Sequence, residues 1–220
     1  MTGVSPVGAI LFVCKANICR SPAMAFAFES SFATQAAADV TSAGTDVRSA
    51  VEICSVSADA ISGSPDGASF VQRHRSKALT AAMIAHQDLT IVASRAERSA
   101  AAMLLPSGRG SLFTLREALE LGREAFGADE LGRIDGVASG ETLAAYAYLL
   151  DARRGTVLPK ARPRWFGRAE SAAEQLDIAD FHHERRRTHE TGIDRVLEAS
   201  TALAGQVAAG LAQIERLSAA

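Results

Sequence analysis

The chain has 220 residues, with 23 Lys and Arg set against 25 Asp and Glu, for a formal charge of −2 at pH 7. That length suits one good-sized core and is short for two, and so small a charge supplies no global field for nucleic acid or an anionic membrane. Hydrophobic residues make up 48% of the chain, and no apolar run approaches the about 20 residues that cross a bilayer. The first apolar run has no positive flank, so it does not read as a secretory signal. Three cysteines do not make a disulfide framework, and they fit a reducing, cytoplasmic setting in which Cys14 stays free.

The chain alternates short apolar strands with helices. Val7–Val13 reads as a buried first strand and Arg20–Phe32 as the first helix. Val40–Thr45 is a short strand ending in a turn. Asp46–Phe70 reads as loop, with Ser62-Gly-Ser-Pro-Asp-Gly67 as a turn cluster. Thr80–His86 is a helix with Thr80 as its N-cap, and Leu89–Ala93 is the next strand. Arg95–Leu105 is a helix closed by Pro106-Ser-Gly, Ser111–Leu115 a fourth strand, and Arg116–Phe126 a helix. This rhythm predicts a parallel sheet with helices on both faces and right-handed crossovers.

Residues 127–167 break the rhythm. Glu141–Arg153 reads as a helix, followed by a Pro- and Arg-rich linker from Gly155 to Gly167. Arg153, Arg154, Lys160, Arg162, Arg164 and Arg168 fall together, and Arg185-Arg-Arg187 comes later. Such runs are either a solvated face or a basic rim that selects acidic substrates. Gly192–Leu217 is an amphipathic helix, with Ile193, Val196, Leu197, Leu203, Val207, Leu211 and Ile214 at helical spacing.

The chemistry concentrates in Cys14-Lys-Ala-Asn-Ile-Cys-Arg20-Ser21-Pro22, between the first strand and the first helix. Loop and helix N-terminal amides in such a place converge on an oxyanion. A cation at a helix start opposes the helix dipole, so Arg20 is better explained as a fork holding two oxygens of a bound anion. Positive surroundings favour Cys14 as thiolate, a nucleophile aimed at phosphorus. Ser21 is placed to donate a hydrogen bond to that thiolate.

This loop resembles the active-site loop of the low-molecular-weight protein tyrosine phosphatases, whose pattern is Cys, five residues, then Arg-Ser. Asn17, Cys19, Arg20, Ser21 and Pro22 match, whereas Ala16 stands where the family usually has Gly. A Gly is demanded there only if the residue takes a positive φ. Ser42-Ala-Gly-Thr45, His74-Arg-Ser-Lys77 and Leu112-Phe-Thr-Leu-Arg-Glu117 extend the likeness over residues 7–126 and 176–217. Residues 127–168 are longer than the family usually has and read as an insertion in a single domain spanning 1–220.

The resemblance implies a four-stranded parallel sheet of order 2-1-3-4, flanked by helices on both faces. It implies a phosphomonoesterase, most simply a protein tyrosine phosphatase, needing neither metal nor cofactor. Cys14 attacks, Arg20 clamps, and Lys15, Ala16, Asn17, Ile18, Cys19 and Ser21 complete the phosphate site. Asp180 aligns with the family's general acid, although Phe181 replaces the usual following Pro; Asp177 is the fallback. Phe181 is the candidate aromatic wall for a phosphotyrosine ring, and Ser42 and His74 support the loop together with Asn17. Cys19 matches a second loop cysteine that can pair reversibly with an oxidised nucleophile. Cys54 receives no role. Phosphate, vanadate and sulfate are the expected active-site anions. The alternatives are an arsenate reductase-like enzyme, for which Cys54 leaves the thiol relay incomplete, a phosphatase for a small molecule, and a phosphate- or phosphotyrosine-binding module with impaired turnover.

Overall fold

The computed structural model describes residues 7–34, 36–134, 142–155 and 174–218. Four strands, β1 (Ala9–Cys14), β2 (Asp39–Gly44), β3 (Leu89–Val92) and β4 (Leu112–Thr114), form one parallel sheet in the order 2-1-3-4. β1 lies at the centre, which is why its sequence is an unbroken apolar run: a central parallel strand is covered on both faces. Its alternate side chains divide between two cores. Ile10, Phe12 and Cys14 face one cluster, and Leu11 and Val13 face the other.

The larger core is built by α1 (Arg20–Phe32) and the long C-terminal helix α9 (Arg186–Ser218). Labels between these follow chain order: α2 (Ser55–Ser62), α3 (Gly67–Arg73), α4 (Ala81–Ala85), α5 (Arg95–Leu104), α6 (Leu115–Leu121), α7 (Ala128–Leu131) and α8 (Thr142–Ala152). α1 is buried from Arg20 through Phe28, as expected of a helix held between a sheet and a second helix. Phe12, Phe28 and Phe32 pack in series, with ring centroids 5.4 and 5.1 Å apart. On the other face Leu79, Ile84 and Ala101 cover Leu11 and Val13.

Thr80 caps α4 by accepting from the Met83 amide, and Thr114 with Glu117 forms a capping box on α6. The segment Asp46–Phe70, read as loop from the sequence, instead contains α2 and the first half of α3. The turn cluster 62–67 is real but separates two short helices. Val56 and Ile61 are buried, so tertiary packing stabilises a Ser- and Ala-rich segment whose own periodicity is weak.

Beyond α6 the chain keeps adding to the same core. In α8, Leu143, Tyr146, Leu149 and Leu150 are buried. Tyr146 sits in a notch between two glycines, because a Cβ on Gly210 would lie 2.5 Å from its ring and one on Gly122 2.7 Å from its hydroxyl. Arg153 and Arg154, at the end of α8, are not a free basic rim. Arg153 binds Glu130 and donates to the carbonyls of Leu121, Glu124 and Ala125 while lying over the Phe126 ring. Arg154 binds Glu117 and Asp151 and lies over Phe113. Glu130 is held down to a pKa of about 2 by its hydrogen bond from Arg153. Lys160, Arg162, Arg164 and Arg168 lie outside the described residues.

Arg153→Ala leaves three carbonyls and a carboxylate without their donor. It is expected to destabilise the fold by about 2 kcal/mol or more, read as a lower urea midpoint at unchanged slope. An unchanged midpoint contradicts the structural role.

Candidate active site

The site forms where β1 ends. Cys14 is its last residue, paired in register with Gly44 at the end of β2, and residues 15–19 curl back to the start of α1. This is the carboxyl edge of the sheet, where doubly wound folds place their ligands. Gly44 is required by this approach: a Cβ there would come within 2.6 Å of the Lys15 carbonyl and 2.8 Å of the Asn17 amide.

Asn17 holds the loop in shape. It takes φ 54°, a left-handed conformation that Asn tolerates better than most side chains. The positive φ falls on this residue and not on Ala16, so the missing glycine at position 16 brings no strain. The buried Asn17 amide group donates to Ser21 and Ser42, each at 2.9 Å. Its side-chain oxygen accepts from the Lys77 amide at 2.9 Å. His74 Nε2 lies 2.8 Å from the Asn17 carbonyl, and a carbonyl only accepts, so Nε2 carries the proton. Burial lowers the His74 pKa, consistent with a neutral, structural imidazole. Ser42 and His74 thus both bond to Asn17.

Cys14 is buried, with its sulfur 3.1 Å from the Ser21 hydroxyl. That hydroxyl also lies 3.2 Å from the Ala43 carbonyl, so its single proton has two acceptors to choose between. Arg20 is 3% exposed and held from several sides. It donates to the Ile178 carbonyl at 3.0 Å, and it contacts the buried Glu97 at 3.4 Å and Asp180 at 3.3 Å. A buried guanidinium needs such partners. Glu97 escaped the sequence reading, although Ser94-Arg-Ala-Glu97 at the end of the third strand is a helix-start pattern that could have drawn attention.

The loop carrying Asp180 is fixed just ahead of the acid. The Ile178 amide donates to the Ala93 carbonyl at the tip of β3. Asp177, the fallback acid, is fully engaged by the Arg95 amide and guanidinium. Asp180 has a side chain 43% exposed and lines a cleft of about 140 Å³ together with Cys14, Lys15, Ala16, Ile18, Cys19, Arg20, Asp46, His182 and His183. Phe181 is not among them. The sequence cast it as an aromatic wall, but its ring is buried against Gly192, where a Cβ would meet it at 2.5 Å, and lies 5.5 Å from His189. Without a Pro after Asp180 the chain is free to turn this side chain inward, and burial in the core is the favoured place for an apolar ring. Arg185, Arg186 and Arg187 are exposed and do not line the cleft, and Arg186 pairs with Asp59 and Glu190.

Cys54 is the residue the sequence left unplaced. Its amide donates to the Ile18 carbonyl at 2.7 Å, and its sulfur approaches Ser57 and His189. The thiols of Cys19 and Cys54 share a hydrogen bond that acidifies one at the other's expense. Cys54 is lowered to about 5, chiefly by its hydrogen bond with Cys19, and Cys19 is pushed up.

A thiol, a buried guanidinium and a carboxylate thus meet around one cleft at the edge of a 2-1-3-4 sheet. The sequence profile of the low molecular weight phosphotyrosine protein phosphatases matches residues 9–126, more than half of the chain, and the protein belongs to that family of hydrolases. Its fold is also that of the tyrosine phosphatase AmsI of Erwinia amylovora, at 18% identity and a TM-score of 0.56 over 93% of this chain and 95% of that one. A mutant of YwlE from Bacillus subtilis gives 18% and 0.57 over 90% and 97%. The YwlE arginine phosphatase of Geobacillus stearothermophilus gives 18% and 0.56 over 96% of each chain. No curated protein matches the sequence. No helix among the described residues is long and apolar enough to cross a membrane.

Above pH 5 a lowered thiol is already ionised. In reduced protein with chelator present, alkylation of Cys54 is therefore expected to level off above about pH 6, whereas an ordinary thiol accelerates through about pH 8 to 9. Peptide mapping by mass spectrometry reads the rate; one that is still climbing at pH 8 contradicts the assignment.

Proposed function

We propose that the protein hydrolyses phosphomonoesters, phosphotyrosine first among them, in two steps through Cys14. The observation that carries this reading is the meeting of Cys14, Arg20 and Asp180 in one cleft. Phosphate enters the curl of residues 15–19, where loop amides and Arg20 take up its oxygens. Ser21 turns its hydroxyl proton to the Cys14 thiolate. The thiolate attacks phosphorus, a P–S bond forms, and the ester P–O bond breaks as Asp180 passes a proton to the departing oxygen.

Asp180 must be protonated before this step. The incoming dianion competes with Asp180 for Arg20. Water then attacks the phosphocysteine and gives its proton to Asp180. The P–S bond breaks, and thiolate and inorganic phosphate result. Glu97 acts through Arg20 as a positioning residue, holding the guanidinium in line while Arg20 stabilises charge on the transferring phosphoryl group. Phosphate, vanadate and sulfate are ligands of the same loop. The free thiols suit a reducing, cytoplasmic setting.

Hydrolysis of para-nitrophenyl phosphate and a phosphotyrosine peptide, without added metal, tests the scheme. Cys14→Ser is expected to abolish turnover, and Asp180→Asn to lower kcat at least about tenfold with little change in vanadate affinity. A wild-type protein that binds vanadate but turns over neither substrate favours a binding module instead.

A further inference from the structure

Beside the phosphate loop four side chains converge, two of which, Cys19 and His182, also line the cleft. Cys54, His182 and His189 have no part in the two-step scheme, and Cys19 enters it only as part of the loop. The sulfur of Cys19 lies 2.9 Å from His189 Nε2, and that of Cys54 lies 3.7 Å from the same nitrogen. Taking one sulfur from each cysteine and one ring nitrogen from each histidine, all four atoms lie within 4.8 Å of one another. Metal–ligand distances of about 2.3 Å to sulfur and 2.0–2.1 Å to nitrogen put tetrahedral ligands roughly 3.3–3.8 Å apart. The cluster is therefore within small side-chain adjustments of a closed tetrahedral shell.

We propose that Cys19, Cys54, His182 and His189 form a tetrahedral Zn2+ site. Two thiolates and two imidazoles are a usual structural zinc set, and a set without oxygen ligands suits neither Mg2+ nor Ca2+. Three further observations fit a bound cation. His182 Nδ1 is buried and has no hydrogen-bond partner among the described residues. Ser57 stands behind both sulfurs, 3.5 Å from Cys19 and 3.2 Å from Cys54, as an outer-shell hydroxyl does. Cys19 and His189 are only 4% and 5% exposed, and Phe181 packs on the His189 ring, so the site is dry on its inner side.

Cys19 and Cys54 are the residues just before α1 and α2, His189 lies in the first turn of α9, and His182 follows Asp180 by two positions. The ion thus ties the acid loop to the phosphate loop. Binding expels the Cys19 thiol proton and leaves a neutral metal–thiolate unit. In one respect the consequence rests on the proposed function. A Cys19 bound to zinc is not available to pair with an oxidised Cys14, so the loaded enzyme loses that shelter against over-oxidation.

Co2+ is the spectroscopic probe, titrated into the reduced full-length chain. The expected result is one equivalent bound, with intense tetrahedral d–d bands and a thiolate-to-metal charge-transfer band, all displaced by Zn2+. Cys54→Ser and His182→Ala should each weaken Zn2+ binding at least about tenfold, and Cys14→Ser should bind as wild type. His182→Ala alters a partly exposed loop side chain, so it answers the question even if Cys54→Ser fails to fold. Absence of stoichiometric uptake overturns the proposal, as does a spectrum without thiolate charge transfer. Uptake lost in Cys14→Ser but kept in His182→Ala also overturns it, by placing the metal on the nucleophile. These readouts do not involve hydrolysis, so failure of the phosphatase reading would leave them unchanged.

Discussion

The active site depends on one small amide side chain. Asn17 spends its two side-chain donor hydrogens on Ser21 and Ser42, its side-chain oxygen on the Lys77 amide, and its backbone carbonyl on His74. It joins the phosphate loop, the first turn of α1, the end of β2 and the segment 74–77. A loop whose amides must point inward at an anion cannot also satisfy its own polar groups through secondary structure, so the surroundings must do so. Buried amide groups are costly when unpaired, and this one is fully used. The same residue takes the left-handed φ that lets the loop close.

The fold builds outward from that requirement. Gly44 lets β2 approach the loop closely, and the Gly44 amide and carbonyl are tied to Lys77 and Leu79, which brings His74 and Lys77 to the loop. Arg20 reaches across the site to Glu97, Ile178 and Asp180. One buried cation thereby links the start of α1, the start of α5 and the acid loop. Charge pairing of this kind specifies geometry more than it adds stability.

Much of this was legible in the sequence, for physical reasons. β1 is apolar throughout because it is central and parallel, and the Cys-to-Arg spacing is short because one loop must supply both groups. Asn17, Ser42 and His74 were readable only through the motifs that carry the family resemblance, since each alone is an ordinary turn, strand or loop residue. α2 and α3 were not, since their stability comes from packing against neighbours rather than from periodicity. Phe181 was misplaced because side-chain direction after a lost Pro is settled by tertiary space, here the gap over Gly192. Glu97 and the gathering of Cys54 with His189 depend on separations of 77 and 135 residues, and spacing along one chain does not reveal which distant residues meet. Arg153 and Arg154 looked like surface charge, and only the fold shows the carbonyls they cap.

The burial of Phe181 changes what lines the cleft. With that ring committed to the core, the cleft sets His182, His183, Asp46 and Asp180 beside the apolar Ala16 and Ile18. An apolar wall sorts molecules by the water they shed, and it distinguishes a missing or added methylene only weakly. A polar wall sorts them by where their donors and acceptors fall, and it penalises a mismatch far more steeply, because an unanswered polar group stays unanswered once water has left. This cleft carries both kinds of wall, the lone pairs and N–H groups of its four polar side chains and the apolar surface of Ile18 and Ala16.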